Sequence, residues 1–422
     1  MTILTDPPKE QFRLSMLLYD TRYRSATIQV IALIAFMLLA AWLINNTAQN
    51  LADLGKPIDF GFFSEPASYD INQRLLDYSS RDTHLRAALI GLLNTLVVAV
   101  LGCATATVLG VVVGVLRLSH NWLIARLMAV YVEMFRNVPV LLWIVFIMAI
   151  LIETLPAPRA FRGDSPSASM LLGDSVALTN RGFYVPEPLF SRSLGDIHLL
   201  GESSLRFNIS LDLVVVLIVL GAGLWVSSRI KRRADRIQES TGDRPTTWYL
   251  RLGVIVVPLA IVLALLGFYL GHPELKGFNF QGGTHLRNSL IALWLALSLY
   301  TAAFIAEIVR AGIMAISKGQ TEAAAALGLR SNRIMSLVIL PQALRVIVPP
   351  LISQYLNLTK NSSLAIAVGY MDITGTLGGI TMNQTGRELE CVLLLMLVYL
   401  VISLSISAVM NWYNESVKLK ER

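Results

Sequence analysis

A chain of 422 residues that is 55% hydrophobic and only 15% charged falls outside the ordinary water-soluble class, where charged residues make up about 25%. Its net charge of +7 does not mark a nucleic-acid binder, because the basic residues stand beside long apolar runs, where cytoplasmic loops of membrane proteins collect Lys and Arg. The two cysteines, Cys103 and Cys391, each lie inside an apolar run, which excludes a disulfide framework and a metal site.

About 20 apolar residues in a helix cross the roughly 30 Å of bilayer hydrocarbon, and the chain offers several such runs. Residues 1–27 are mostly polar, with Asp6, Lys9, Glu10, Arg13 and Asp20, and read as a cytoplasmic tail and not as a cleavable signal peptide. A first span is predicted over 28–48, followed by a polar stretch to residue 86. Together these make a segment, 28–86, of one membrane helix and an external loop. The second span, 87–116, carries Gly102, Ala106, Gly110 and Gly114, a four-residue spacing that lets a neighbouring helix approach closely. Residues 117–139 are charged at Arg117, Arg126, Glu133 and Arg136 and carry Trp122 and Tyr131. They read as an amphipathic segment at the cytoplasmic surface, leading into a third span that ends near Leu155.

Residues 156–207 form the longest polar segment, punctuated by Pro156, Pro158, Pro166, Pro186 and Pro188, with balanced charges that include Asp164 and Glu202. The region 208–287 holds an inserted pair of spans, 209–228 and 249–270, joined through Arg229, Lys231, Arg232, Arg233 and Arg236. A sixth span is predicted over 288–314, a seventh over 342–370 with Pro349 and Pro350 near its start, and an eighth over 391–412. The chain closes on a cytoplasmic tail, 413–422, with Lys418, Lys420 and Arg422. Eight crossings put both ends on one side. The basic clusters at 117–136, 229–236, 318–333 and 418–422 then share that side, which must be cytoplasmic, and residues 49–86 and 156–207 lie outside.

Between the sixth and seventh spans stands a polar, Ala-rich island, EAAAALGLRSNRIMSLVILP, from Glu322 to Pro341. Ser317 and Gln320 fit a capping box that starts a helix at Lys318. Glu322 near that start complements the helix dipole. Ala323 and Ala324 favour helix with almost no bulk, and Gly328 permits a sharp turn into a second short helix. The bare composition also fits a simple linker between spans. Farther on, SQYLNLTKNSSL (353–364) places polar groups inside an apolar helix. Gln354, Asn357 and Asn361 share one face, Lys360 flanks it, and Tyr355, Thr359 and Ser362 form the adjacent stripe. Polar groups at mid-membrane are costly unless they face water, a path or a partner, so this cluster reads either as the lining of a polar pathway or as interhelical hydrogen bonding. Glu307 and Arg310, three residues apart near the end of the sixth span, form a structural ion pair or a gate. Asn94, Thr95 and Asn288 near helix ends read as caps or interhelical bonds.

Taken with YTAAFIAEIVRAGI (300–313), LPQALRVIVPPLISQYLNLTKNSSLAIAVGY (340–370), NQTG (383–386) and the weaker Asn94-Thr95 and Tyr131-Val132-Glu133 signals, the Ala-rich island resembles the EAA loop of ABC importer membrane subunits. The resemblance covers 87–155 and 288–412 and is strongest to the polar amino acid uptake family, in particular the general L-amino acid and glutamate/glutamine/aspartate/asparagine permeases. One position departs, Val338 standing where the family often has Ile. The resemblance implies an all-α polytopic membrane protein of about eight transmembrane helices, with a type I importer core and extra helices, in the bacterial inner membrane. It implies that Glu322, Ala323, Ala324, Gly328, Leu340 and Pro341, within 317–341, couple to a cytoplasmic ATPase dimer that binds ATP and Mg. It also implies a second related permease, an external substrate-binding protein and a polar amino acid as substrate. The chain itself would carry no cofactor, metal or catalytic residue. No GxxxxGK[ST], HExxH or CxxC occurs, as expected of a transport subunit and not a motor or enzyme. An ATP-independent secondary transporter or channel is the competing class. It would need intramembrane carboxylates or broken helices for its ions, and would leave the Ala-rich island unexplained.

Overall fold

The computed structural model describes residues 16–163, 166–199, 201, 203–243 and 245–417. Most of the expected N-terminal tail, loop residues Asp164 and Glu202, and the basic residues Lys418, Lys420 and Arg422 lie outside the described residues. Eight helices among the described residues are long and apolar enough to span a bilayer. Residues up to Phe60 form one compact unit and Gly61 onward another. The first unit holds α1 (Thr21–Asp53), whose apolar side chains, among them Phe36, Leu38 and Trp42, are exposed.

In the second unit, α2 (His84–Leu116) starts where Thr83 accepts a hydrogen bond from the Arg86 amide at 3.3 Å. Helix α3 (Trp122–Asn137) is capped by Asn121, whose carboxamide oxygen accepts from Leu123 and Ile124 at 3.0 and 3.3 Å. It stops before Pro139, which disfavours helix in the residue ahead of it. Helix α4 (Val140–Thr154) follows directly. The segment 117–139 does more than lie on a surface: Val132 and Phe135 are buried against Ala303 and Ala306, and Trp143 of α4 stacks on Phe135 at 4.2 Å.

The long polar segment after α4 is built of short strands. In chain order come β1 (Ala177–Thr179), β2 (Gly182–Val185), β3 (Glu187–Phe190), β4 (Asp196–Leu199) and β5 (Phe207–Ser210). Helices α5 (Leu211–Thr241) and α6 (Trp248–Leu265) follow, then β6 (Phe268–Gly271), β7 (Glu274–Lys276), β8 (Asn279–Gln281) and β9 (Thr284–Leu286). All pairings are antiparallel: β1–β2–β9 in one sheet, and β3–β6, β4–β5 and β7–β8 as pairs. The all-α expectation therefore holds for the spanning helices and not for the insertion's polar parts, whose prolines and glycines break helices but allow short edge strands. The fifth span is correspondingly shorter than predicted, because Phe268–Gly271 pairs with β3. In this cap Tyr184 stacks on His285, with ring centroids 4.2 Å apart. Burial raises the pKa of the Tyr184 phenol and lowers that of His285. The stretch 61–83 is likewise not a loose loop: Phe62, Tyr69, Ile71 and Tyr78 are buried, and Asp82 pairs with Arg206 at 2.8 Å.

Helix α7 (Asn288–Met314) is the hub and is the most enclosed of the candidate spans. Its Ile305 and Ala302 meet Gly110 of α2, and its Val309 and Ala306 meet Gly114; a β-carbon added at Gly110 would stand 2.6 Å from that of Ile305. Gly110 and Gly114 of the small-residue spacing thus form the α2–α7 interface, while Gly102 meets Leu358 further on in the chain. Helix α8 (Lys318–Ala326) begins at the predicted residue, but Ser317 makes no side-chain capping bond and the expected capping box does not form. A short helical turn (Ser331–Ile334) and a π-helical stretch (Met335–Ile339) run without a break into α9 (Leu340–Asn361). Pro349 and Pro350 therefore stand inside α9 and not near its start. After a 3₁₀ stretch (Ser362–Val368) the chain turns at Gly369 and passes through a π-helical stretch (Thr374–Thr381) to α10 (Glu388–Val417).

Candidate functional site

The polar face of α9 meets the middle of α7. Gln354, Asn357 and Asn361 line a cavity of about 280 Å³ opposite Tyr300, Thr301 and Phe304. Thr301 is the midpoint of the 27-residue α7, so the cavity lies near half the depth of the helix bundle. The i, i+3, i+7 spacing that put the three amides on one face is what delivers them here. The opposite wall was not foreseen. Its signal was present as Tyr300, Thr301 and Phe304, with i and i+4 on one face, but read only as part of a family motif. The guanidinium of Arg136 from α3 lies 5.4 Å from the Phe304 ring centre, a cation–π contact that brings positive charge behind this wall.

The other predicted pathway residues are not in this cavity. Tyr355 faces a separate, largely apolar cavity of about 420 Å³ bordered by α2, α7 and α10, and its hydroxyl is 2.6 Å from that of Thr107. Ser362 is fully buried, donating to the Thr359 carbonyl at 2.8 Å, which makes it a helix-internal bond. Lys360 is exposed on the outside of the described chain. The stripe next to the amides therefore serves packing, while the amides themselves face open space.

Glu307 is held from two helices. Its carboxylate accepts from Arg310 Nη2 at 2.5 Å and Nε at 3.2 Å, one turn away, and also from Arg117 at the end of α2. The predicted pair is thus a three-member cluster that pins the end of α2 to α7. Arg117 was missed because nothing in sequence ties it to residue 307. Asn94 and Thr95 bond to the segment that follows Gly369: Asn94 donates to the Met371 carbonyl, which lies outside any helix, at 2.8 Å, and Thr95 accepts from the Ile373 amide at 3.0 Å. Asn288 donates to the Asn180 carbonyl at 2.8 Å, tying α7 to the strand cap.

The residues expected to couple to an ATPase lie on α8, in the turn after it and at the start of α9. Gly328 has φ +77°. The Leu329 amide donates to Ala324 at 3.3 Å and the Gly328 amide to Ala325 at 2.9 Å, the 6→1 and 5→2 pair of a Schellman motif, which favours glycine at this position. Glu322, Ala323, Ala325 and Leu327 are exposed and Ala324 is buried. Leu340 and Pro341 open α9 directly after the π-helical stretch. From Ser331, three residues after Gly328, to Val368 the backbone is continuously helical over 38 residues, so the amide face lies on a rod that starts just after the turn.

A helical bundle that spans the membrane, has a polar cavity at mid-depth and presents an Ala-rich helical turn at one end has the build of a transport permease. The chain belongs to the family described as binding-protein-dependent transport system inner membrane component, whose model matches residues 106–419. It is an integral, multi-pass inner-membrane subunit of such a system. It is 58% identical, over the full length of both chains, to the glutamate/glutamine/aspartate/asparagine transport system permease protein BztB of Rhodobacter capsulatus. It is 42% identical to the general L-amino acid transport system permease protein AapQ of Rhizobium johnstonii, over 97% of this chain and 96% of that one. The glutamate/aspartate import permease protein GltK of Escherichia coli matches at 35% identity over 48% of this chain and 88% of its own length. A solved structure described as a crystal structure of an amino acid ABC transporter with histidines aligns with TM-score 0.43 and 16% identity, over 79% of this chain and 95% of that one.

Proposed function

We propose that this chain forms one half of the path of an ATP-driven importer of polar L-amino acids. The observation that carries the reading is the unbroken helix from Ser331 to Val368, which starts three residues after the Schellman turn at Gly328 and carries the amide face at Gln354, Asn357 and Asn361. In this reading a cytoplasmic ATPase dimer, holding ATP and Mg, grips the α8 turn, and its closure moves α9 against α7. At about 1.5 Å per residue, Asn357 lies roughly 40 Å along that rod from Ser331, so a shift at the turn becomes a change in cavity shape. The carboxamides donate to the substrate carboxylate and accept from its ammonium group. The names of the relatives BztB and AapQ support amino acids as cargo. The two glutamate/aspartate import permease proteins of Escherichia coli, GltK and GltJ, support a second, related permease beside this one. The external substrate-binding protein delivers cargo to the strand-capped end, and the basic cluster 229–236 and both termini lie in the cytoplasm.

The test is recovery of an ATPase. Pulling down this chain from membranes should bring a nucleotide-binding subunit whose turnover rises when loaded binding protein is added. A chain that recovers no ATPase, yet transports, is a secondary transporter, and the reading fails.

A further inference from the structure

The strand cap carries a cationic recess that the transport path does not use. Arg159 comes from the 3₁₀ turn Pro158–Phe161, Arg162 from the residue after it, and Arg181 from the turn between β1 and β2. They converge, with Leu275 and Phe278 of the β7–β8 hairpin, on a recess of about 210 Å³. The two-residue turn Gly277–Phe278 points Phe278 outward, where it is 89% exposed, and the Arg162 guanidinium lies 6.0 Å from its ring centre. Among the described residues no carboxylate pairs with any of the three arginines, and the hairpin's own acid, Glu274, is engaged by Lys276 at 3.0 Å. Three like charges gathered from separate segments repel one another in the isolated chain, and an acidic partner relieves that repulsion.

The recess sits at the β9 end of α7, whereas the α8 turn follows the opposite end. A 27-residue helix is about 40 Å long, so one partner cannot contact both through a single small face. A free amino acid seated in the recess would leave most of the Phe278 ring, 89% exposed, uncovered. Arg and aromatic side chains side by side are the composition of protein-contact hot spots.

We propose that this recess is a docking site for surface carboxylates of the external substrate-binding protein, with Phe278 as the apolar anchor. The inference rests on the importer reading and adds to it the face and the chemistry of docking.

The experiment uses the reconstituted complex and its own binding protein loaded with L-glutamate. ATPase rate is followed against binding-protein concentration at about 0.05 and about 0.3 M KCl, a range over which screening of exposed charges changes strongly, each rate being normalised to that without binding protein. The double variant Arg159→Glu/Arg181→Glu should raise the half-saturating concentration at least about tenfold, with Arg159→Gln/Arg181→Gln intermediate and Phe278→Ala also weakened. Salt should weaken the wild type more than the reversed variant. Equal half-saturation and equal salt dependence in all variants overturn the docking proposal while leaving the importer reading intact. Calorimetric binding of free L-glutamate to the complex without binding protein, lost in the Gln variant, overturns it in favour of a small-anion site. A wild-type complex with no stimulated ATPase overturns the importer reading and this inference with it.

Discussion

Asn357 and Asn361 stand one helical turn apart on the face of α9 that meets Thr301, and their roles separate from those of their neighbours by where they point. Asn361→Leu keeps the branched outline of the side chain and removes the polar groups. Loss of a hydrogen bond to a charged substrate group costs about 1.5–3 kcal/mol, so uptake at limiting substrate should fall roughly 10- to 100-fold while assembly is retained. Lys360→Ala, off the cavity, should change uptake much less. Equal losses in the two variants would contradict the assignment of the cavity. A second residue-scale expectation concerns packing. Gly110→Leu drives a side chain into Ile305 and Ala302, an overpacking that costs about 1–3 kcal/mol, and should lower the thermal midpoint of the purified chain. Leu at Gly221, where nothing lies within 4 Å of an added β-carbon, should not. The three amides were legible in the sequence because helical periodicity alone puts them together. Tyr355 and Ser362 were placed with them because the polar stripe looked continuous, and only packing shows that Tyr355 bonds Thr107 and Ser362 its own helix.

At the scale of elements, the turn after α8 is the part most exposed to a single substitution. Valine at Gly328 must adopt φ near +77°, a region that β-branched residues resist at about 1–3 kcal/mol. No atom lies within 4 Å of an added β-carbon, so the effect is conformational and local. Gly328→Val should insert normally and bring down less ATPase, while Gly328→Asn, which tolerates left-handed backbone, should recover much of the loss. Equal recovery of ATPase by all three forms would show the segment to be a linker. The boundaries of α7 and α8 were readable because polar residues and glycine punctuate them. The strands of the cap were not, because pairs such as β2–β9 join residues about a hundred positions apart, and no local pattern encodes such a partner. The join of the π-helical stretch to α9 was hidden by Pro341, which reads as a start signal yet sits in a continuous helix.

At the scale of the molecule, the arrangement defines two ends: a strand cap on one and the α8 turn on the other, about 40 Å apart along α7. If basic clusters mark the cytoplasm, Ser167 lies outside and Ser240 inside. Both positions are exposed. Cysteine at Ser167 should react with an impermeant maleimide on intact spheroplasts, and cysteine at Ser240 only after lysis; the reverse pattern would invert the topology. The count of spans was legible because apolar runs are long and charges bracket them, whereas the contact partners of α1 and α6, whose most apolar stretches are not buried within the described chain, are not encoded in either helix alone. The most direct measurement of the central claim is uptake of labelled L-glutamate into proteoliposomes carrying the assembled complex. The account predicts uptake only with ATP on the α8 side and loaded binding protein on the cap side, and its loss in Gly328→Val. Uptake without ATP, driven by an ion gradient and indifferent to Gly328→Val, would contradict it.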